Sequence, residues 1–220
     1  MSDKIIVALD GIEKQRALQL AEQLQGLCWG FKVNDLLLEC GISILRELKP
    51  YGRVFADPKL HDIPNTVSNG VKRLAAEGAD LITVHASGGR AMLEAAENAS
   101  GNSTILAVTA LTSLETADTQ FLLSRSPEQA VEDFAVLAAE ANVGGLVCSP
   151  KELKLVSKRQ ELKPLLKVIP GIRPAASESD DQKRTLTPKE TMELGAGLLV
   201  IGRPITKAAD PKAALTAISA

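Results

Sequence analysis

The sequence predicts an α/β fold in which one (β/α)8 TIM barrel spans residues 1–220, with its active site at the C-terminal ends of the strands. Three observations predict it. Short β-branched runs alternate along the chain with longer stretches of helical apolar spacing. The runs are nearly continuous in apolar residues, as a parallel sheet covered on both faces requires. Eight such pairs fit into 220 residues with no linker or shift of composition, and no GxGxxG follows the first strand, which favours closure over an open dinucleotide-binding sheet.

The strand candidates, in order, are Ile5–Asp10, Trp29–Val33, Arg53–Lys59, Asp80–Ala86, Thr104–Leu111, Gly144–Ser149, Leu166–Gly171 and Leu198–Gly202. The helical patterns between and after them are Glu13–Leu24, Leu36–Leu48, Thr66–Glu77, Arg90–Asn98, Glu128–Glu140, Lys151–Gln160, Pro188–Leu194 and Ile205–Ile218. In Glu128–Glu140, for example, Val131, Phe134, Ala135 and Ala138 fall on one face. Two pieces break the pattern. Thr112–Pro127 reads as irregular, and Arg173–Thr187, rich in Ser, Ala and charge, reads as a mobile loop.

Composition excludes several classes. With 25 basic and 27 acidic residues the formal charge is −2, so no global field favours nucleic acid or an anionic membrane, and any bound anion needs a local cluster. The apolar run Ile5 to Leu9 is too short for a signal peptide, and no stretch approaches the ~20 apolar residues of a membrane-spanning helix. Cys28, Cys40 and Cys148 are scattered and odd in number, the pattern of reduced thiols in a cytoplasmic protein.

Polar residues at strand ends carry the chemistry of such a barrel. Asp10 ends the first strand and Lys32 lies near the end of the second. Asp57 and Lys59 end the third, two apart and so on one side of an extended strand. Lone charges in a poorly hydrated mouth are costly, so an interleaved acid–base array is expected, able to hold an ammonium aimed at one point as a general acid. The bland reading makes Asp57, Lys59 and Asp62 loop charges, with Asp62 or Asn65 capping a helix. The companion charges Asp10 and Lys32 weigh against it. At the far end of the barrel, Gly202-Arg203-Pro204 follows the last strand with Pro204 suited to open a helix, and Pro170-Gly171-Ile172-Arg173 closes the seventh. Glycine backbone and guanidinium in the loops after strands seven and eight point to a phosphorylated small molecule. Of the remaining candidates, His61 reads as a solvent-facing loop residue, and His85 as a hydrogen-bonded support at the end of the fourth strand. Trp29 and Phe31 read as packing residues, and Gly88-Gly89 as a strand-to-helix corner.

The run Phe55-Ala56-Asp57-Pro58-Lys59-Leu60-His61-Asp62-Ile63-Pro64-Asn65-Thr66 resembles the Asp-x-Lys-x-x-Asp-Ile-Pro-x-Thr signature of the orotidine 5'-monophosphate decarboxylases, the bacterial ones in particular. Val7-Ala8-Leu9-Asp10, Phe31-Lys32-Val33, Val84-His85-Ala86-Ser87-Gly88-Gly89, Val108-Thr109-Ala110-Leu111-Thr112-Ser113, Asp181-Gln182 and Val200-Ile201-Gly202-Arg203-Pro204 extend it along the chain. The resemblance implies decarboxylation of orotidine 5'-monophosphate to UMP and CO2, the last step of de novo pyrimidine nucleotide synthesis, with no metal and no cofactor. It implies Lys59 as the proton donor to C6, Asp57 against the departing carboxylate, and Lys32 and Asp10 holding the charge network and the ribose. Asp62 and Thr66 would act across a homodimer interface, and Thr112, or less favourably Ser113, would meet the pyrimidine edge. Gln182 would bridge base and phosphate, while Arg173, Gly202 and Arg203 hold the phosphate. Two alternatives differ in class. One is a Mg²⁺-dependent 3-keto-L-gulonate 6-phosphate decarboxylase or hexulose phosphate synthase of the same superfamily, against which the Ile63–Thr66 tail and Gln182 argue. The other is a catalytically dead barrel that only binds nucleotides or phosphosugars, in which loss of Lys59 or Asp57 would be expected.

Overall fold

A computed structural model of the chain describes residues 1–111, 113–172 and 186–219. Eight parallel strands close into a barrel in chain order: β1 (Ile5–Ala8), β2 (Gly30–Val33), β3 (Arg53–Leu60), β4 (Leu81–His85), β5 (Thr104–Val108), β6 (Gly145–Val147), β7 (Leu166–Ile169) and β8 (Leu198–Ile201). Pairing of β1 with both β2 and β8 shuts the ring. The helices are α1 (Lys14–Gln23), α2 (Leu36–Cys40), α3 (Ile44–Leu48), α4 (Pro64–Ala76), α5 (Arg90–Asn98), α6 (Thr116–Leu123), α7 (Pro127–Glu140), α8 (Pro150–Lys158), α9 (Pro188–Glu193), α10 (Arg203–Thr206) and α11 (Pro211–Ser219). None of them is long and apolar enough to cross a membrane.

Period-two alternation along each strand sorts side chains into two cores. Ile6, Phe55, Leu81, Leu106, Val168 and Leu198, with Ala8 and Val200, pack together in the lumen. Val7, Phe31, Val54, Ile82, Ile105, Leu146 and Leu199 turn outward and pack with the buried faces of the helices, such as Leu20, Val71 and Leu93. Burying each such side chain stabilises the fold by about 1.5–3 kcal/mol, and the lumen is therefore a packed floor beneath the mouth. Trp29 sits half-buried at the edge of that floor, with the Arg53 guanidinium 5.4 Å from its ring centre, while Phe31 is fully buried.

Three helices begin with a shared local device. Ser126-Pro127, Ser149-Pro150 and Thr187-Pro188 each place proline in the first turn, where its missing N–H costs nothing. Three residues after each cap, Gln129, Glu152 and Glu190 accept the cap residue's N–H at 3.1, 2.8 and 2.8 Å.

Among the helices, the structure departs from the sequence reading in four places. Leu36–Leu48 is two helices, because Gly41 adopts φ +71 between them. Ile205–Ile218 is also split, with α11 starting at Pro211, a residue that biases Asp210 before it away from helix. The supposedly irregular Thr112–Pro127 contains α6, whose capping box pairs Glu115 with Asp118. That helix escaped periodicity because Thr119 is its one buried residue, while Phe121 and Leu122 face outward. Pro204 is the second residue of α10, Arg203 being the first.

Close approach of β2 to β3 requires glycine at position 30, where a Cβ would fall 2.1 Å from the Arg53 carbonyl oxygen. Gly30→Ala should therefore cost about 2–3 kcal/mol of stability, read as a lower urea midpoint with an unchanged slope.

Candidate active site

The inward-facing alternation that fills the lumen continues one step further at the mouth and changes character. Beyond Ala8, Gly30, Phe55 and Leu81 stand Asp10, Lys32, Asp57 and Thr83. Lys32 Nζ donates to Asp10 Oδ1 and Oδ2 at 2.8 and 2.6 Å, and lies 3.1 Å from Asp57 Oδ2. Lys59 Nζ donates to the same Oδ2 at 2.7 Å. The order across the mouth is thus Asp10, Lys32, Asp57, Lys59, with signs alternating. Lys32 and Asp57 are each only 6% exposed, whereas the Asp10 and Lys59 side chains remain 45% and 34% exposed. The central pair is sealed and its two flanks open to a ligand.

Burial works against the Lys32 ammonium, but the charges of Asp57 and Asp10 outweigh it and hold its pKa above the ordinary lysine value. Asp57 has every oxygen engaged: Oδ1 accepts from Thr83 Oγ1 at 2.8 Å and its carbonyl accepts from Asn34 Nδ2 at 2.5 Å. Neither Thr83 nor Asn34 figures among the sequence-derived candidates. Thr83 left one trace, as a polar residue inside the apolar run Leu81-Ile82-Thr83-Val84. Lys59 reaches Asp57 by another route than regular alternation: it has φ +50, and the β3–β4 register shifts between Ala56 and Leu60. The expectation of a plain extended strand fails here, because Pro58 and the bulge bend the chain over the mouth.

These charges border a cavity of about 500 Å³. Its opposite wall is Pro170, Gly171, Ile172, Gly202, Arg203 and Pro204, so the charged array and the Gly202-Arg203 corner share one chamber sized for a small ligand. A larger hollow of about 840 Å³ lies against α6 and α8, includes Ser113 and meets the first at Pro170 and Gly171. The smaller chamber is the one that contains the array. Asp62 and Thr66 are exposed and do not line the cavity that holds the array. Asp62 Oδ1 accepts the Ile63 N–H at 2.6 Å, and Thr66 lies in the first turn of α4. Thr112, Arg173 and Gln182 fall outside the described residues. Among the described residues there is no group of three or more His, Cys, Asp or Glu side chains able to hold a metal.

His61 is exposed, and its ring tilts against that of half-buried His85, centroids 5.6 Å apart. This ring contact stands where the sequence suggests a hydrogen bond. All three cysteines are unpaired, Cys148 being buried and the other two partly buried. Burial pushes the Cys148 thiol up to about 12 and Cys28 to about 11, which leaves both unreactive at neutral pH.

A family model described as orotidine 5'-phosphate decarboxylase / HUMPS matches residues 3–218. The chain belongs to this family. It is 44% identical to a protein of Parasynechococcus marenigrum (strain WH8102) named orotidine 5'-phosphate decarboxylase, over 98% of this chain and 92% of that one. A protein of the same name from Moorella thermoacetica is 43% identical over 99% and 91%. The crystal structure of orotidine 5'-phosphate decarboxylase from Lactobacillus acidophilus superposes with a TM-score of 0.82 at 36% identity, covering 98% of this chain and 96% of that one. The Mg²⁺-dependent alternative is not favoured by relatives bearing that name.

Burial, the neighbouring His61 and the Lys59 charge together depress the pKa of His85. The folded chain therefore resists protonation there. The associated stability is whole above the unfolded value near 6.5 and is lost as pH falls through the lower folded value. Between pH 7 and 5 the wild type should lose more stability than His85→Asn, a difference visible in melting temperatures measured across that range.

Proposed function

We propose that this chamber decarboxylates orotidine 5'-monophosphate to UMP and CO2 without a metal or cofactor, in the final step of pyrimidine nucleotide synthesis. The observation that carries the proposal is one carboxylate oxygen, Asp57 Oδ2, shared by the ammonium groups of Lys32 and Lys59 in the mouth of the barrel. Membership of the family and the name shared by its relatives supply the substrate.

The ground-state carboxylate of the substrate would stand beside Asp57, a like charge that burial prevents water from screening. Breaking the C6–carboxylate bond releases neutral CO2 and leaves the electron pair on C6, which removes that repulsion. The Lys59 ammonium, held by Asp57, neutralises the developing charge and delivers its proton to C6; the resulting amine regains a proton from solvent. Lys32 spans Asp57 and Asp10 and keeps both carboxylates in place, and the exposed flank of Asp10 is available to the ribose hydroxyls. At the far wall Gly202 and Arg203 receive the phosphate, with Arg173 and Gln182 assigned to the same end by family resemblance. Thr112 is assigned to the pyrimidine edge on the same ground. Phosphate binding is remote from C6, so its free energy is available to drive organisation of the reacting end.

The reading extends to the assembly. Asp62 and Thr66 are exposed and do not line the cavity of their own barrel, which suits groups completing the site of a second copy in a homodimer. Residues 1–220 act as one catalytic barrel, and the reduced cysteines suit a cytoplasmic enzyme.

Two experiments test this. Lys59→Ala should reduce turnover of orotidylate, followed by its ultraviolet absorbance, by at least about 1,000-fold, while the wild type keeps full activity in excess chelator; chelator inhibition would defeat the metal-free reading. Lys59→Ala and Asp62→Ala homodimers, each weak alone, should recover about one quarter of wild-type sites when mixed and allowed to exchange, because each mixed dimer assembles one intact site. No recovery in demonstrated heterodimers would remove Asp62 from the partner's site.

A further inference from the structure

The β3–β4 seam breaks at the functional segment itself. Ala56 pairs with Ile82 and Leu60 with Val84, so Asp57, Pro58 and Lys59 together face one residue of β4, Thr83. Regular ladder bonding is lost there. Pro58 has no N–H to give, and Lys59, at φ +50, occupies a left-handed conformation that a side-chain-bearing residue avoids unless its surroundings hold it. Glycine would suit that backbone better, but glycine carries no ammonium.

What holds Lys59 is the side chain opposite. Thr83 is fully buried, and its Oγ1 accepts the Lys59 backbone N–H at 2.9 Å and lies 2.8 Å from Asp57 Oδ1. An amide can only donate and a carboxylate can only accept, so the hydroxyl's single proton must point at Asp57. One hydroxyl thereby satisfies both groups and leaves Asp57 Oδ2 to Lys32 and Lys59. From the β2 side, Asn34 Nδ2 donates to the Asp57 carbonyl at 2.5 Å, so the bulge is gripped at both edges.

We propose that Thr83 is a positioning residue for the decarboxylation: its hydroxyl ties the backbone of the proton donor to the carboxylate that the donor's ammonium pairs with, and so fixes where the Lys59 ammonium stands. This inference rests on the roles given above to Lys59 and Asp57. A threonine that merely filled the lumen would be replaceable by valine, which has the same shape.

The comparison is therefore Thr83→Val, which removes the hydroxyl, against Thr83→Ser, which keeps it, with kcat, KM for orotidylate and melting temperature measured for each. Thr83→Val should lower kcat about 30-fold with KM within about threefold and a folded chain, whereas Thr83→Ser should stay within about threefold of wild type in kcat. Equal activity of the two variants, whether both high or both low, overturns the proposal, and so does a Thr83→Val loss confined to KM. If Thr83→Val does not fold, Thr83→Ala against Thr83→Ser provides the same contrast. Lys59→Ala assayed alongside separates the two readings. An inactive Lys59→Ala with a fully active Thr83→Val defeats the positioning role alone, while an active Lys59→Ala defeats the site assignment beneath it.

Discussion

The structure turns on one buried carboxylate shared by two ammonium groups. Asp57 and Lys32 are almost sealed from solvent, and Lys59 closes over them from the open side. At about 3 Å and an effective dielectric near 20, each contact is worth roughly 5 kcal/mol of attraction, yet stripping water from the charges costs a comparable amount. Such a cluster is a poor way to stabilise a protein, since apolar residues of similar volume would do as well or better. What it does provide is a negative and a positive charge at fixed positions, in a place where little water can rearrange to screen them.

That constraint accounts for the fold around it. Buried charges must meet partners of opposite sign, and three neighbouring strands supply them here: Asp10 follows β1, Lys32 lies on β2, and Asp57 and Lys59 lie on β3, so that the signs interleave across the sheet. Parallel pairing of β1, β2 and β3 sets Lys32 opposite Ala8 and Phe55, two residues short of Asp10 and Asp57, so that its ammonium reaches both carboxylates, above a lumen floor that includes Phe55, Leu81 and Leu106. Closure through β8 then carries Gly202 and Arg203 round to face the array across one cavity. The distortion falls at Lys59, whose ammonium meets Asp57 at the mouth, and it is absorbed by a bulge whose partner on β4 is a single polar side chain. Strain of this kind persists only when the surroundings over-determine it, which here means bonds from both neighbouring strands.

Much of this was legible beforehand because apolar periodicity and charge at strand ends are local signals. The eight strands, their order and the four charges of the array all follow from such signals. Helix ends did not, where one glycine or proline decides: Gly41 divides what reads as one helix, and Pro211 another. Helix α6 lacks an apolar face and therefore lacks a periodic signature, although its capping box was present in the residues. Thr83 and Asn34 were missed for a different reason. A single hydroxyl or amide in an apolar run is ambiguous until the residue across the sheet is known, and the register shift opposite Thr83 leaves no mark on its own strand.

The sequence by itself determined the architecture, the family and the membership of the charged array, because alternation of strand and helix, and the spacing of Asp57 and Lys59, are properties of neighbouring residues. Only the tertiary structure decided how those charges are divided. That Lys32 bridges two carboxylates and that Asp57 gives one oxygen to Lys32 and the other to Thr83 depend on contacts between residues 22 to 26 positions apart. That Lys59 stands in a left-handed turn and shares that first oxygen depends on the register between strands. A hydrogen bond is set by distances of a few tenths of an ångström, and those distances exist only once the barrel has closed.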